Sequence, residues 1–88
     1  MENNQNIGSL LKSAREKKNV SLEDIANKTK ININILKALE SEDLSSLPNK
    51  TYVKGFVKNY AKTVGVDAQL AMDALENLYG VEKAQTVS

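Results

Sequence analysis

"VSLEDIANKTKININILKALE", residues 20–40, decides the fold of this chain. It begins with a strong helix start. Ser21 stands where an N-cap belongs, and Asp24, three residues on, completes a short form of the capping box. Val20 and Ile25 occupy the two positions of a hydrophobic staple. Leu22, Ile25 and Ala26 share one face, so the spacing predicts a helix over 22–29. A tight connection follows at Thr29, Lys30 and Ile31. Asn32 is placed to cap a second helix over 33–42, with Leu36 and Leu39 inward. A short helix, a turn of about three or four residues and a second capped helix have the spacing of a helix-turn-helix. Many such units carry Gly at the turn position that Lys30 fills. Lys reaches the same left-handed backbone at some cost.

Outward from this unit, both flanks also read as helix. On the N-terminal side, Ile7, Leu10, Leu11 and Ala14 fall at i, i+3, i+4 and i+7, which predicts a helix over 7–18. Arg15, Lys17 and Lys18 suit the negative end of its dipole, and Asn19 is a left-handed stop. On the C-terminal side, "LSSLPNK" (44–50) reads as a loop, because Pro48 disfavours helical backbone at Leu47. A fourth helix is expected over 50–64, ended by Gly65. A fifth, capped by Asp67, is expected over 68–79, with Leu70, Ala74, Leu75 and Leu78 inward and Gly80 closing it. The expected fold is therefore all-α: a compact five-helix bundle containing a phage-repressor-like helix-turn-helix over 7–80. Residues 1–6 read as a disordered N-terminus. Residues 81–88 read as a flexible tail leading towards a linker or membrane span outside this chain.

Composition narrows the chemistry. The 88 residues make one small domain with a modest core. There is no Cys and no His, so the sequence offers no disulfide framework, no thiolate nucleophile and no ordinary zinc site. It has no phosphate-cradling Gly motif, and the acids at 40–43 have too little around them for a calcium loop. No catalytic residue, metal, cofactor or small-molecule ligand is expected. The N-terminus lacks the pattern of a signal peptide, and no apolar run approaches the roughly 20 residues that span a bilayer. The chain reads as soluble and intracellular, and as compatible with being the soluble part of a longer membrane protein. Net charge is +1 and the pI about 7.9. Dedicated nucleic-acid domains usually exceed a pI of about 9.

The fourth helix carries the most unusual pattern. "TYVKGFVKNYAK" (51–62) holds three of the chain's four aromatic residues, Tyr52, Phe56 and Tyr60. It also holds Lys54, Lys58 and Lys62 at the same spacing of four. On a wheel with Tyr52 at zero, Phe56 falls near 40°, Tyr60 near 80°, and Val53, Val64 and Val57 at about 100–140°. The lysines fall at about 200–280°. The centre of the apolar arc reads as core. Tyr52 and Phe56 lie at its edge, either finishing the core beneath the loop or offering the aromatic pair of a protein-binding hot spot. The lysines, extended by Lys50, read as solvated surface or as a basic rim that steers an acidic partner. Gly55 between the rings costs helix propensity and permits close approach of another backbone, from this domain or a partner.

Residues 8–67 resemble the cytoplasmic helix-turn-helix domain of the RodZ family, bacterial cell-shape proteins with one membrane span. "LPNKTYVKGFVKNYAKTVGVD" (47–67) carries the specific part of that resemblance. It follows the pattern aromatic, basic, Gly, aromatic, basic, Tyr-Ala. "LLKSAREKKNVSLEDIANKTKI" (10–31) is similar to phage-repressor helix-turn-helix units in general. The resemblance implies an adaptor that binds MreB, the bacterial actin, and links its filaments to the inner membrane. It implies a contact at the start of helix four, where the family's two aromatic positions fall on Tyr52 and Phe56. The expected docking set is therefore Tyr52 and Phe56 with Lys50, Lys54 and Lys58.

A second reading stays open, that of a sequence-specific DNA-binding regulator using helix three. Such a helix reads base edges with groups like Asn34 and Lys37. Against it stand Glu40, Glu42 and Asp43. From 32 to 43 the charge is −2, which a phosphate backbone repels, and the simplest reading of those acids is a solvated face.

Overall fold

The structure, a computed structural model, describes the backbone of residues 6–87 and the side chains of residues 6–80. Five α-helices are present among the described residues: α1 (Ile7–Lys17), α2 (Leu22–Thr29), α3 (Ile33–Ser41), α4 (Lys50–Val64) and α5 (Ala68–Val87). A 3-10 turn, Leu44–Ser46, lies inside the expected loop.

Local signals set most boundaries. Ser21 and Asp24 make both bonds of the capping box: the Asp24 N–H donates to Ser21 Oγ (3.1 Å) and the Ser21 N–H to Asp24 Oδ2 (3.2 Å). Asn32 caps α3, Asn49 caps α4, and Gly65 ends α4 in the left-handed region. Lys30 takes the left-handed turn conformation at φ 64°, and Asn19 does the same at φ 62°. Asn6, grouped by composition with a disordered N-terminus, caps α1 by accepting from the Ser9 N–H. Residues 1–5, the rest of that expected segment, lie outside the described residues.

Two helix ends differ from expectation. α3 stops at Ser41 because Glu42 turns left-handed at φ 58°, a conformation its sequence does not advertise. α5 runs through Gly80 to Val87, where the sequence suggested a stop and a flexible tail. A single Gly costs about 1 kcal/mol in a helix, and "VEKAQ" after it contains good helix formers and no Pro. The expected tail at Ser88 lies outside the described residues.

The core is one cluster fed by every helix. It includes Ile7 and Leu11 of α1, Ile25 of α2, Leu36 and Leu39 of α3, Val53, Val57, Tyr60, Ala61 and Val64 of α4, and Ala71, Ala74 and Leu75 of α5. Each buried aliphatic contributes roughly 1.5–3 kcal/mol relative to exposure. Leu70 departs from its expected inward place and is 53% exposed. The inward stripe of α5 starts instead at Ala71, with Ala74, Leu75 and Leu78 completing i, i+3, i+4 and i+7, and Leu70 stands one step off it. α1 meets α3 closely enough that a Cβ on Gly8 would lie 2.3 Å from the Glu40 carbonyl oxygen.

Candidate protein-docking site

The start of α4 is built by the segment before it. Asp43 accepts from the Ser45 and Ser46 hydroxyls at 2.7 and 2.8 Å, which firms the 3-10 turn. Those bonds, Ser45 first, hold the Asp43 carboxyl below its ordinary range. Leu47 is extended ahead of Pro48, and the Asn49 side chain accepts from the Thr51 N–H at 3.1 Å. The first turn of α4 is thus fixed from outside the helix as well as by its own ladder.

The aromatic residues then divide. Tyr60 is fully buried. Phe56 is half-buried and packs on the core, as does Leu47 beside the loop. Tyr52 is 64% exposed. The edge position read from the wheel therefore resolves into one anchored ring and one free ring, a turn apart. An exposed aromatic on a rigid element gives a binding surface large apolar area at little entropic cost.

The lysines expected beside them point elsewhere. Lys50 Nζ lies 3.0 Å from Glu76 Oε1 on α5 and 5.0 Å from the centroid of the Tyr79 ring. Lys54 Nζ lies 3.9 Å from Glu76 Oε2. Lys50 and Lys54 thus turn to the α5 flank of α4, away from Tyr52 and Phe56. Lys58 is exposed and makes no ion pair among the described residues. Glu76 and Tyr79 carry no sequence signal for this role, because the pairing spans 26 residues of chain. These pairs are half exposed and add little to stability.

The acids of the helix-turn-helix unit also find places that the sequence did not suggest. Glu40 is not solvated surface. Its carboxylate accepts from Arg15 Nε at 2.8 Å and Nη2 at 3.2 Å, and from the Tyr60 hydroxyl. Arg15 also donates to the Val20 carbonyl at 2.9 Å. One network therefore ties α1, α3 and α4. The Glu40 hydrogen bond raises the Arg15 pKa further. Burial first, then the bond to Glu40, pushes the Tyr60 phenol far above its ordinary value. Glu42 accepts from the Gly8 N–H at 2.8 Å, at the positive end of α1. Glu40 and Glu42 therefore bridge helices, while Asp43 bonds locally to Ser45 and Ser46 and stays exposed. What α3 shows outward is Asn34 and Lys37, which line a shallow groove with Asn32, Ser41, Ser46 and the exposed Asp43.

Among the described residues no helix is long and apolar enough to cross a membrane.

Known proteins resemble this chain in sequence and in fold. The helix-turn-helix domain family matches residues 10–70. The cytoskeleton protein RodZ of Streptococcus pneumoniae is 37% identical over 71 residues, covering 81% of this chain and 26% of that protein. YmfM of Bacillus subtilis, described as an uncharacterized membrane protein, is 45% identical over 49 residues, covering 56% of this chain and 17% of that protein. The chain thus spans about a quarter or less of these relatives. The solved structure of YmfM from Staphylococcus aureus, described as a candidate DNA-binding membrane protein, superposes with a TM-score of 0.77. It is 28% identical, and the match covers 84% of this chain and 90% of that one.

Proposed function

The chain belongs to the helix-turn-helix domain family, and from that premise we propose that it is an adaptor domain that docks the bacterial actin MreB through the start of α4 and links the filament to the inner membrane. The observation that carries this reading is Tyr52, 64% exposed on the first turns of a well-capped helix, with Phe56 anchored one turn on. The similarity to a relative named as a cytoskeleton protein supports the choice of partner. The similarity to relatives described as membrane proteins supports the anchor. Lys50 and Lys54 are paired with Glu76 on the α5 flank, and the exposed Lys58 is the lysine of the expected set whose positive charge is open to a partner.

The test is co-pelleting of the domain with MreB filaments. Tyr52→Ala and Phe56→Ala, separately and together, should weaken co-pelleting while circular dichroism stays helical. Folded double variant with native binding would sink the docking reading. For the anchor, the full-length gene product should sediment with inner membranes and be released by detergent. Recovery in the soluble fraction would remove that link.

One observation favours a second reading. With Glu40 and Glu42 engaged internally, the outer face of α3 presents Asn34 and Lys37 with one carboxylate in their groove, that of Asp43, which accepts from Ser45 and Ser46. A sequence-specific DNA contact there is tested by duplex titration across salt concentrations. Binding that falls steeply with salt and weakens in Asn34→Ala and Lys37→Ala would support it. No binding at physiological salt would dismiss it.

A further inference from the structure

Nothing among the described residues requires Gly55 to be a glycine. Gly8 is required by the α3 backbone against it, and Gly65 by its positive φ. Gly55 lies in the middle of α4, is not among the residues of positive φ, and has nothing within 4 Å of where a Cβ would stand. Glycine is the poorest helix former after proline, so this position gives up stability with no internal return. Gly80 is equally open, so openness alone does not make a site. What separates Gly55 is its surroundings. Three residues before it stands Tyr52, the most exposed large apolar side chain described. Three residues after it stands Lys58, and Lys62 one turn further, both exposed and without an ion pair among the described residues. Gly55 also floors a shallow groove between α4 and α5, with Lys54 and Lys58 on one wall and Met72, Asp73 and Glu76 on the other; Glu76 is held by Lys50 and Lys54, and Asp73 accepts from Gln69.

We propose that Gly55 is the point of closest approach between α4 and its docked partner. A backbone segment of the filament protein lies directly on it, with the Tyr52 ring against one flank and the partner's carboxylates facing Lys58 and Lys62 on the other. A missing Cβ lets two backbones approach to a distance that any side chain prevents. The unpaired lysines give the occupant its charge, because a carboxylate opposite them completes an ion pair that the described residues leave open. This rests on the docking reading above and adds to it the partner's chemistry at the contact.

The experiment uses the whole chain and separates stability from binding. Gly55→Ala should raise the Tm by roughly 2–8 °C, since it improves helix propensity in open space. The same variant should weaken MreB co-pelleting about tenfold or more, and Gly55→Gln more strongly still. Gly80→Ala, an open helical glycine away from Tyr52, should also raise the Tm and leave binding native. Lys58→Glu should weaken binding and flatten its salt dependence. Native binding by Gly55→Ala and Gly55→Gln, with Tyr52→Ala impaired, would overturn the close approach and leave the docking reading standing. Native binding by all three would overturn both. Lys58→Glu binding as the native chain does would overturn the acidic flank.

Discussion

The guanidinium of Arg15 on α1 holds the carboxylate of Glu40 on α3 in a two-point grip, at 2.8 and 3.2 Å, across 25 residues of chain. Both side chains are largely buried, 14% and 10% exposed. The Tyr60 hydroxyl of α4 donates to the same carboxylate. Removing one partner leaves the other charged in a poorly solvated place. Arg15→Ala should therefore cost about 2–4 kcal/mol. Urea unfolding followed by circular dichroism measures it. A loss below about 0.5 kcal/mol would mean that water replaces the grip.

The same network makes stability fall at alkaline pH. Burial, reinforced by Glu40, raises the Tyr60 phenol above its ordinary value of 10.0. A group whose folded pKa is raised contributes its stability fully below the unfolded pKa and loses it as pH rises towards the folded one. The Tm should hold up to about pH 9.5 and drop beyond about pH 10. Tyr60→Phe should start lower in Tm, having lost the hydroxyl bond, and decline less between pH 10 and 12. Parallel declines in the two proteins would assign the alkaline loss elsewhere, for example to Tyr79, whose phenol burial also raises.

Two left-handed residues should respond in opposite ways to glycine. Lys30 and Glu42 share nearly the same backbone, φ 64° and 58°. Lys30 is exposed, and its side chain makes no hydrogen bond or ion pair among the described residues. Lys30→Gly should stabilise by about 0.5–1 kcal/mol through relief of the left-handed strain. Glu42→Gly relieves the same strain but removes the carboxylate that caps the Gly8 N–H. It should be neutral or destabilising by up to about 1 kcal/mol. Thermal melts of the two variants give the comparison directly.

Gly8 marks a close approach of α1 to α3. A methyl there meets the Glu40 carbonyl oxygen at 2.3 Å and the Glu42 side chain at 3.1 Å. Gly8→Ala must push α1 away from α3, at a cost of about 2–4 kcal/mol, even though Ala favours helix. A Tm at or above the native value would show that the two helices separate freely.

Tyr52 and Phe56 should divide in a stability measurement as they divide in burial. Tyr52→Ala should change unfolding free energy by less than about 0.5 kcal/mol, as exposed positions do. Phe56→Ala removes half-buried ring area and should cost about 1–3 kcal/mol. If Tyr52 is a docking anchor, its removal should weaken MreB binding by about 2 kcal/mol, or roughly 30-fold.

The helices of this protein are legible in its sequence because their causes are local. Ser21 and Asp24 bond each other, Asn49 bonds Thr51, and Gly65 reverses its own turn, all within a few residues. The apolar stripe of α4 likewise needs only a period of 3.6, so Val53, Val57, Tyr60 and Val64 were readable as core, with Tyr52 at the edge. Gly80 misled because a helix end is a small balance of propensities. Tertiary structure alone decided which charges meet. Glu40 looks like a surface acid until Arg15 and Tyr60 are brought to it from 25 and 20 residues away. Lys50 and Lys54 look like companions of Tyr52 until α5 carries Glu76 to their side. A helix wheel gives the direction a side chain leaves its own helix. It holds nothing about what another helix, folded back from elsewhere in the chain, places opposite it.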